Sequence, residues 1–402
     1  MVQSSRPARE RLPSDAVLAI VMHRTGASTE RFIERHVRES FGGHTVVVAR
    51  HVGTSPAFDQ PLLVADAACG TSWQRIRSLP LRLAAYARTR YWGVPVGAER
   101  EHIVQFWRHH QVSAVLAEFG PLGCWIAPVA RAAGLPVFVY FRGYDASSRL
   151  RSAGTVQAYR RLMQQVDGVF AVSAFLLENL RRAGVVHGNA HVIPSGTNPR
   201  FFVPGAKDPA LVVAVGRFVA KKRPESTVRA FAAAAARWPA LRLQMVGDGP
   251  RLERCRELAR ELGVESRVDF LGACSHSDIA ALLGRARVFM QHSVTASGGE
   301  TEGLPSSIQE AMAAGAVVVS TRHAGIPEIV VDGRTGWLVD EQDDAGYARA
   351  LIKVFEDPVR ADAMARQARE LAEQHLDTRL LQQAMEAVIL QAIQARVEPA
   401  GE

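Results

Sequence analysis

The chain has 402 residues, of which 48% are hydrophobic and 22% charged, and it carries a net charge of +8. These values fit two soluble globular domains of ordinary composition. The four cysteines are widely spaced and form no C-x-x-C pair, which argues against a disulfide scaffold or a zinc cluster and fits a reducing compartment. The apolar run at 17–22 is too short for a signal sequence. No apolar run reaches the roughly 18 residues of a membrane-spanning helix, so the sequence predicts a cytoplasmic protein.

The charge is unevenly distributed between the two halves. Residues 1–200 contain 24 arginines, no lysine and 13 acidic residues, whereas residues 201–402 contain 24 basic and 27 acidic residues. A first half with a net charge of +11 is expected to face an anionic partner such as nucleic acid, an anionic membrane surface or a phosphorylated substrate. The alternative is a high arginine background with solvated charged faces.

The first half alternates apolar runs with amphipathic patterns. Helices are predicted at 31–40, 101–110 and 155–165. Strands are predicted at 16–22, 44–50, 112–120, 136–141, 168–173 and 190–196. This order indicates a first α/β domain.

The segment 75–92, RIRSLPLRLAAYARTRYW, is basic and contains apolar and aromatic residues. No acidic residue occurs between Asp66 and Glu99. Such a segment can lie in the interface of an anionic membrane. The alternative is an ordinary surface helix.

The second half repeats the alternation more clearly. Helices are predicted at 224–238, 250–263, 277–286 and 305–315. Strands are predicted at 210–218, 267–272, 286–291 and 316–321, and the segment 241–249 is predicted as a strand followed by a glycine turn. Strands that alternate with helices in this way predict a doubly wound parallel sheet. The Pro- and Gly-rich segment 194–205 is the predicted domain boundary.

The stretch 300–315, ETEGLPSSIQEAMAAG, places two carboxylates around a predicted helix start. Pro305 suits the first turn, because a helix start leaves its first N–H groups without partners anyway. The next N–H groups, beginning with that of Ser306, form a natural anion site. Glu302 precedes this helix end and Glu310 lies inside the helix, so a diphosphate bound there would have one carboxylate for each flanking sugar. The alternative is a solvated Glu302 and a Glu310 paired with arginine.

A second candidate element is GRFVAKKRP at 216–224, which closes a predicted strand. Arg217 and Lys222 fit a pyrophosphate at the carboxyl end of a parallel strand. Fixed cations there would stabilise the charge that grows on a leaving diphosphate. Lys221 and Arg223 are alternatively simple surface charges.

The turn VGDGP at 246–250 also joins a predicted strand to a helix. Gly247 and Gly249 match G-x-G, but Leu252 stands where the third glycine of a dinucleotide fingerprint belongs. The turn therefore argues against a nicotinamide enzyme.

Four motifs follow one another along the chain: GRF-x-x-K-K, VGDGP, E-x7-E with EAMAAG, and HAGIPEIVVDGRTGWLV. In these motifs and in their order the chain resembles the retaining nucleotide-sugar glycosyltransferases of family four, which have the GT-B fold. The resemblance covers most of residues 16–390 and is most specific over 210–340. The sequence HSVTAS…EGLP at 292–305 is similar to the corresponding sequence in bacterial enzymes that assemble extracellular and capsular polysaccharides. Supporting matches in the first half are TERFI, EFGPLG, FRGYD, VSAFLLENL and VIPSGTNPRFF.

The resemblance implies an α/β protein of two Rossmann-like domains that face each other across a cleft. Residues 1–198 would bind the acceptor and residues 205–376 the nucleotide sugar, and helices at about 377–396 would pack back on the first domain. The donor site that the resemblance implies comprises Arg217, Lys222, Gly247, Gly249, Glu302, Gly303, Leu304, Pro305, Ser306 and Glu310.

The same resemblance implies roles for individual residues. Arg217 and Lys222 would hold the diphosphate, Glu310 the ribose hydroxyls and Glu302 the hydroxyls of the transferred sugar. The residues implied to line the cleft near the donor sugar and acceptor are Gly26, Arg142 and Asp145. The groups implied to act in catalysis are Glu302, Lys222, Arg217 and Arg142.

The resemblance implies that the donor is a nucleotide-diphosphate sugar, with UDP or GDP as the nucleotide, and that the acceptor is a saccharide or a lipid-linked saccharide. It implies no nucleic-acid partner, and no metal or other cofactor is expected because no D-x-D motif is visible. Transfer would retain the anomeric configuration, with an oxygen of the leaving phosphate accepting the acceptor proton. The expected location is the cytoplasm, at the inner face of the cell membrane if residues 75–92 contact it.

The chain departs from the family pattern at two positions. Arg142 stands where many members have a histidine that touches the donor sugar, so an anionic sugar or phosphate is an option there. Asn198 replaces the commoner aspartate after the I-P-x-G turn. Two other functions stay open from the sequence: a GT-B nucleotide-sugar epimerase or hydrolase, and a non-catalytic carbohydrate-binding subunit.

Overall fold

Two parallel β-sheets, one in each half of the chain, organise the protein. The computed structural model describes residues 15–25, 31–53, 58–65 and 78–397. Within these residues the first sheet has seven strands, in the order β3-β2-β1-β4-β5-β6-β7. Its strands are β1 Leu18–Arg24, β2 Thr45–His51, β3 Leu62–Val64, β4 Ala114–Glu118, β5 Val137–Phe141, β6 Gly168–Ala171 and β7 Ala190–Val192.

The second sheet has six strands in the order β10-β9-β8-β11-β12-β13. Its strands are β8 Asp208–Val215, β9 Arg242–Val246, β10 Val268–Gly272, β11 Ala286–Gln291, β12 Val317–Thr321 and β13 Gly336–Val339. All strand pairs in this sheet are parallel. The strand order reverses at β8, which lies between β9 and β11, and ligands of doubly wound sheets bind at the carboxyl ends of strands at such a point.

Helices connect the strands in both halves. The helices of the first half are α1 Arg31–Glu39, α2 Leu79–Thr89, α3 Ala98–His109, α4 Gly120–Ala132, α5 Ala153–Leu162 and α6 Ala174–Arg182. Those of the second half are α7 Pro224–Ala235, α8 Leu252–Glu261, α9 His276–Arg285, α10 Ser306–Ala313, α11 Ile326–Ile329, α12 Asp344–Glu356, α13 Pro358–His375 and α14 Thr378–Val397.

The predicted fold class, an α/β protein with two Rossmann-like domains, is confirmed. The strands are recognisable from sequence because β4, β5 and β12 are buried along their whole length and therefore consist of continuous runs of mainly apolar residues. The first strand extends beyond the apolar run to Arg24, because Arg24 still pairs with His51 of β2. The predicted basic segment 75–92 contains α2, and residues 75–77 lie outside the described part of the chain.

The last helix, α14, contacts the first half of the chain. Its Gln382 Nε2 donates to Ser40 Oγ at 2.7 Å, and its Arg396 Nη2 donates to Asp167 Oδ1 at 2.7 Å. The chain thus crosses between the two sheets twice, once between β7 and β8 and once before α14.

Several direct contacts join the two halves beside the carboxyl ends of the strands. The Glu328 carboxylate accepts the N–H groups of Ala174 (2.8 Å) and Phe175 (2.9 Å), which are two of the free donors at the start of α6. Ser173 Oγ donates to the carbonyl oxygen of Gly303 at 3.2 Å. The loop that contains Gly303 is therefore held against the first domain.

Candidate active site

The loops after β8 and β9 pack tightly against each other. The N–H of Phe218 donates to the carbonyl oxygen of Asp248 at 2.9 Å. A Cβ at Gly247 would lie 2.1 Å from the carbonyl oxygen of Gly216, and one at Gly249 would lie 2.6 Å from that of Phe218. Both glycines also have positive φ angles, 131° and 150°. The glycines of the VGDGP turn are thus required by this contact between loops, while their contact with a donor stays a prediction.

Lys222 and Glu302, which lie 80 positions apart in the chain, are brought together by the fold. Lys222 Nζ lies 3.4 Å from Glu302 Oε1. Lys221 Nζ lies 3.8 Å from the same oxygen and donates to the carbonyl oxygen of Thr301 at 3.2 Å. Lys221 is therefore part of the site and not a simple surface charge, and Glu302 is buried rather than solvated.

The charges of this cluster influence each other. Burial raises the pKa of Glu302, but Lys222 and Lys221 outweigh it and hold the pKa below its usual value. Burial lowers the pKa of Lys222, and Glu302 opposes that change. An ammonium group has three donors, so Lys222 can contact a phosphate oxygen as well as the carboxylate.

Arg217 lies two residues after the end of β8 and is exposed. Within the described part of the chain it forms no ion pair, and its charge is close enough to lower the pKa of Lys222. An exposed arginine without a carboxylate partner, beside a second cation, is suited to bind a diphosphate.

A buried histidine supports the loop that carries Glu302. The N–H of Glu302 donates to His323 Nε2 at 3.0 Å, and His323 Nδ1 lies 2.5 Å from Glu341 Oε1. If Nε2 accepts, the proton of a neutral ring lies on Nδ1 and points at Glu341. Glu341 also accepts the N–H of Thr295 at 2.9 Å. His323 lies in the HAGIPE motif, but no spacing pattern indicated it as a site residue.

Helix α10 begins at Ser306, four residues after Glu302. Leu304 and Pro305 are buried and Ser306 is half-buried. Ser307 Oγ donates to Gln291 Oε1 at 2.8 Å, which fixes the helix start to the end of β11. The first N–H groups of this helix are free donors of the kind that binds anions.

Glu310 lies further along α10 and is half-buried. Its Oε1 lies 3.6 Å from His276 Nε2, and His276 packs on the rings of Phe201 and Phe202. The arginine partner considered from sequence is thus replaced by a histidine. No ion pair between Glu310 and the Lys222–Glu302 cluster is present among the described residues.

Arg142 lies in the interior of the first domain. Its guanidinium carbon lies 3.9 Å from the ring centroid of Phe32 and 3.8 Å from that of Tyr140. Nε donates to Glu118 Oε2 at 2.8 Å, and Nη1 donates to Ser195 Oγ at 3.2 Å. Only Nη2 has no hydrogen-bond partner among the described residues. Nη2 is therefore the guanidinium nitrogen that is available to a donor sugar, and this contact of Arg142 stays a prediction.

Glu118 compensates the buried charge of Arg142. Burial raises the pKa of Glu118, but Arg142 and His36 reverse this effect and hold the pKa at about 2. His36 Nδ1 lies 2.6 Å from Glu118 Oε1. The carboxylate is therefore charged at neutral pH and fixes the position of the guanidinium.

Asp145 uses both oxygens to hold backbone groups. Its Oδ1 accepts the N–H groups of Arg142 (3.0 Å) and Gly143 (2.9 Å), and its Oδ2 accepts that of Gly120 (3.0 Å). What is visible for Asp145 is a role in shaping the loop at 141–145. The remaining cleft residue predicted from sequence, Gly26, lies outside the described residues.

Comparison with known proteins identifies the family. The profile described as "Glycosyltransferase Family 4" matches residues 32–201, and the one described as "Glycosyl transferases group 1" matches residues 198–371. The chain is also 30% identical over 285 residues to the "Putative colanic acid biosynthesis glycosyltransferase WcaL" of Salmonella typhimurium, covering 69% of this chain and 70% of that protein. The chain belongs to the family 4 glycosyltransferases. It is therefore an enzyme of the transferase class.

Other similar proteins agree with this assignment. This glycosyltransferase is 32% identical to the "GDP-mannose-dependent alpha-(1-6)-phosphatidylinositol monomannoside mannosyltransferase" of Mycolicibacterium smegmatis, over 60% of this chain and 66% of that one. Its fold is shared with Anabaena Alr3699/HepE in complex with UDP-glucose, at a TM-score of 0.74 and 18% identity over 94% and 99% of the two chains. Because the identity is only 18%, this second match shows the fold alone, and that fold is the predicted GT-B fold.

Within the described residues of the glycosyltransferase, no helix is both long enough and apolar enough to cross a bilayer. The same residues contain no group of three or more His, Cys, Asp and Glu side chains that could hold a metal ion.

His292, the residue after β11, is expected to make the free energy of unfolding fall in acid. It is fully buried, and neither ring nitrogen has a hydrogen-bond partner among the described residues. Burial, assisted by Arg223, lowers its pKa to about 4. The unfolded chain, with a pKa of about 6.5, binds this proton first, so stability falls as the pH falls from about 6.5 to 4. Between pH 7 and pH 5 we expect His292 to account for a loss of about 2 kcal/mol.

The measurement is the free energy of unfolding by urea at pH 7 and pH 5. His292→Gln is expected to lose less stability between these pH values than the wild type. His102→Gln, at an exposed histidine, serves as the control and should behave like the wild type. The same pH dependence in wild type and His292→Gln would exclude this origin.

Proposed function

We propose that this glycosyltransferase moves a sugar from a nucleotide-diphosphate sugar, with UDP or GDP as the nucleotide, to a saccharide or lipid-linked saccharide acceptor in cell-surface polysaccharide biosynthesis. The observation that carries the proposal is the cluster at the switch point of the second sheet, where Arg217 and Lys222 lie beside a buried Glu302. Relatives named for colanic acid and amylovoran biosynthesis, and a neighbour solved with UDP-glucose, support the class of pathway and donor.

The proposed reaction assigns the cations to the leaving group. The bond between the sugar C1 and the diphosphate oxygen breaks, and negative charge grows on the diphosphate. This charge is stabilised by Arg217, Lys222 and the free N–H groups at the start of α10. Because these groups are already in place, the protein does not have to move during the reaction. An oxygen of the leaving phosphate accepts the proton of the acceptor hydroxyl, whose oxygen bonds to C1 on the same face. The anomeric configuration is then retained.

The first domain is proposed to receive the acceptor and to contact an anionic membrane. Its half of the sequence carries the excess of arginine. Helix α2 exposes three leucines, Leu79, Leu81 and Leu83, with exposed fractions of about one half. Arginines with exposed leucines on one helix favour a peripheral position at an anionic interface.

The proposal is tested by a thermal-shift screen with nucleotide sugars, followed by detection of the transferred sugar on oligosaccharide acceptors. A donor at about one hundred times its dissociation constant should stabilise the protein by about 2.7 kcal/mol. Release of free nucleotide only in the presence of an acceptor distinguishes transfer from hydrolysis. Stabilisation by no nucleotide sugar would refute the proposed donor class.

Glu310 is expected to determine the affinity for the nucleotide. If its carboxylate binds the two ribose hydroxyls, Glu310→Gln should weaken binding of UDP or GDP by about tenfold to a hundredfold, since a hydrogen bond to a charged group contributes about 1.5–3 kcal/mol. The measurement is calorimetric titration. Glu370→Gln, at an exposed position of α13, is the control and should bind like the wild type. Equal affinity in Glu310→Gln would exclude the ribose contact.

A further inference from the structure

The first domain contains a cavity that the proposed reaction does not use. It has a volume of about 550 Å³ and lies between α2, the loop at 94–97 and the ends of α4 and α5. Much of its lining is apolar, including Ala85, Val94, Val129 and Ala132. A cavity of this size is within the range that holds small ligands.

This cavity is separate from the cleft between the domains. Helix α4 begins at Gly120, whose N–H is bound by Asp145 beside the cleft, and ends at Ala132, which lines the cavity. Thirteen helical residues span about 20 Å, so the two sites lie at opposite ends of α4. A molecule in the cavity therefore does not occupy the donor site.

A basic hollow of about 420 Å³ lies next to the cavity, lined by Arg90, Gln157, Arg160, Arg161 and Gln164. Arg161 and Gln164 line both spaces, so the apolar cavity and the basic hollow adjoin at these residues.

The described residues around the two spaces carry an excess of positive charge. Arg88, Arg100 and Arg131 also line the cavity, and no aspartate or glutamate is among the described residues that line either space. Within the described part of the chain, Arg88, Arg100 and Arg161 form no ion pair with a carboxylate. Unpaired guanidinium groups at one opening are suited to a phosphate.

We propose that the cavity and the hollow together bind one anionic phospholipid, with an acyl chain in the cavity and the phosphate against Arg161. A ligand that fits both spaces must combine an apolar chain with negative charge. The neighbouring α2, which also lines the cavity, exposes Leu79, Leu81 and Leu83 to the solvent, and these can enter the surface of the bilayer that supplies the lipid. This inference extends the proposed membrane contact and does not depend on the donor site.

The test uses short-chain lipids that are soluble as monomers, so that binding to a site is separated from adsorption to a membrane. Dihexanoyl-phosphatidylglycerol, dihexanoyl-phosphatidylcholine and inorganic phosphate are titrated into the full-length protein by calorimetry. We expect saturable binding of the phosphatidylglycerol at least about tenfold tighter than that of the phosphatidylcholine. Both lipids carry a phosphate, but the quaternary ammonium of phosphatidylcholine cancels its charge and is repelled by the arginines. Inorganic phosphate alone should bind more weakly than the phosphatidylglycerol.

Two variants and a control locate the site. Ala132→Trp fills the cavity from an exposed position, and Arg88→Gln/Arg161→Gln removes two charges from its rim. Both should weaken phosphatidylglycerol binding and reduce sedimentation with phosphatidylglycerol vesicles. The control Arg285→Gln/Arg366→Gln removes two exposed charges from the second domain and should retain both.

Full phosphatidylglycerol binding by Ala132→Trp, with loss in the arginine variant, would show that lipid binds only to surface charge and would overturn the proposal. Equal binding of inorganic phosphate would overturn it as well. Equal melting temperatures of all variants, measured first, exclude misfolding as a cause. Sugar transfer to a soluble acceptor should be unchanged in Ala132→Trp, which separates this inference from the proposed catalytic function.

Discussion

Lys222→Ala is expected to lower kcat by about 10² or more, which is the range found when a group that stabilises developing charge is removed. Of the two lysines in the loop after β8, Lys222 lies closer to Glu302, with its Nζ 3.4 Å from Glu302 Oε1. Its removal leaves the diphosphate with Arg217 and leaves the buried Glu302 carboxylate with Lys221 alone at 3.8 Å. Steady-state kinetics with the donor found in the nucleotide-sugar screen give the measurement.

The control for this experiment is Lys353→Ala. Lys353 is an exposed lysine of α12 whose Nζ lies 4.9 Å from the ring centroid of Trp337. Its removal changes the net charge by the same amount and should leave kcat unchanged. An unchanged kcat in Lys222→Ala as well would contradict the role assigned to this residue in transfer.

The second large effect is expected from Gly303→Ala. A Cβ at this position would lie 2.1 Å from the carbonyl oxygen of Arg142 and 2.6 Å from Val172 Cγ2. The Arg142 backbone cannot retreat easily, because Asp145 holds its N–H and that of the next residue. The loop must therefore move away from the first domain and take Glu302 with it. A displacement of about 1 Å at a reacting centre costs about 10²-fold in rate, and we expect kcat/KM to fall by that amount.

A matched control lies in the same segment of the chain. A Cβ at Gly298 would meet no atom within 4 Å, so Gly298→Ala should retain the activity and the melting temperature of the wild type. If Gly303→Ala behaved in the same way, the close contact between the two domains would have no part in catalysis.

Much of the fold could be predicted from the sequence because the pattern that specifies each strand lies within a few consecutive residues. Strands such as β5 and β12 are buried on both faces, so they appear as uninterrupted runs of mainly apolar residues. The loops that follow β8 and β11 could be assigned to one edge of a sheet for the same reason, since the carboxyl ends of parallel strands share that edge. The proximity of Lys222 and Glu302 follows from this rule.

Contacts that depend on three-dimensional packing could not be predicted in the same way. Lys221 resembled a surface charge because no spacing rule indicates that its ammonium group turns toward the carbonyl oxygen of Thr301. The support of Glu302 by His323 depends on a loop after a different strand. The position of Arg142 between two rings depends on α1 and β5 together.

The two chain crossings between the sheets have a consequence for engineering. Thr197 and Asp377 form a parallel bridge, in which the N–H of Thr197 donates to the Leu376 oxygen at 2.8 Å and the N–H of Thr378 donates to the Thr197 oxygen at 2.9 Å. The first domain therefore contains a segment that is distant in sequence, because α14 packs on residues of the first half. A chimera that exchanges donor specificity with a homologue should replace a central cassette with both junctions at this bridge, since a single-junction fusion would separate α14 from the surface that it covers.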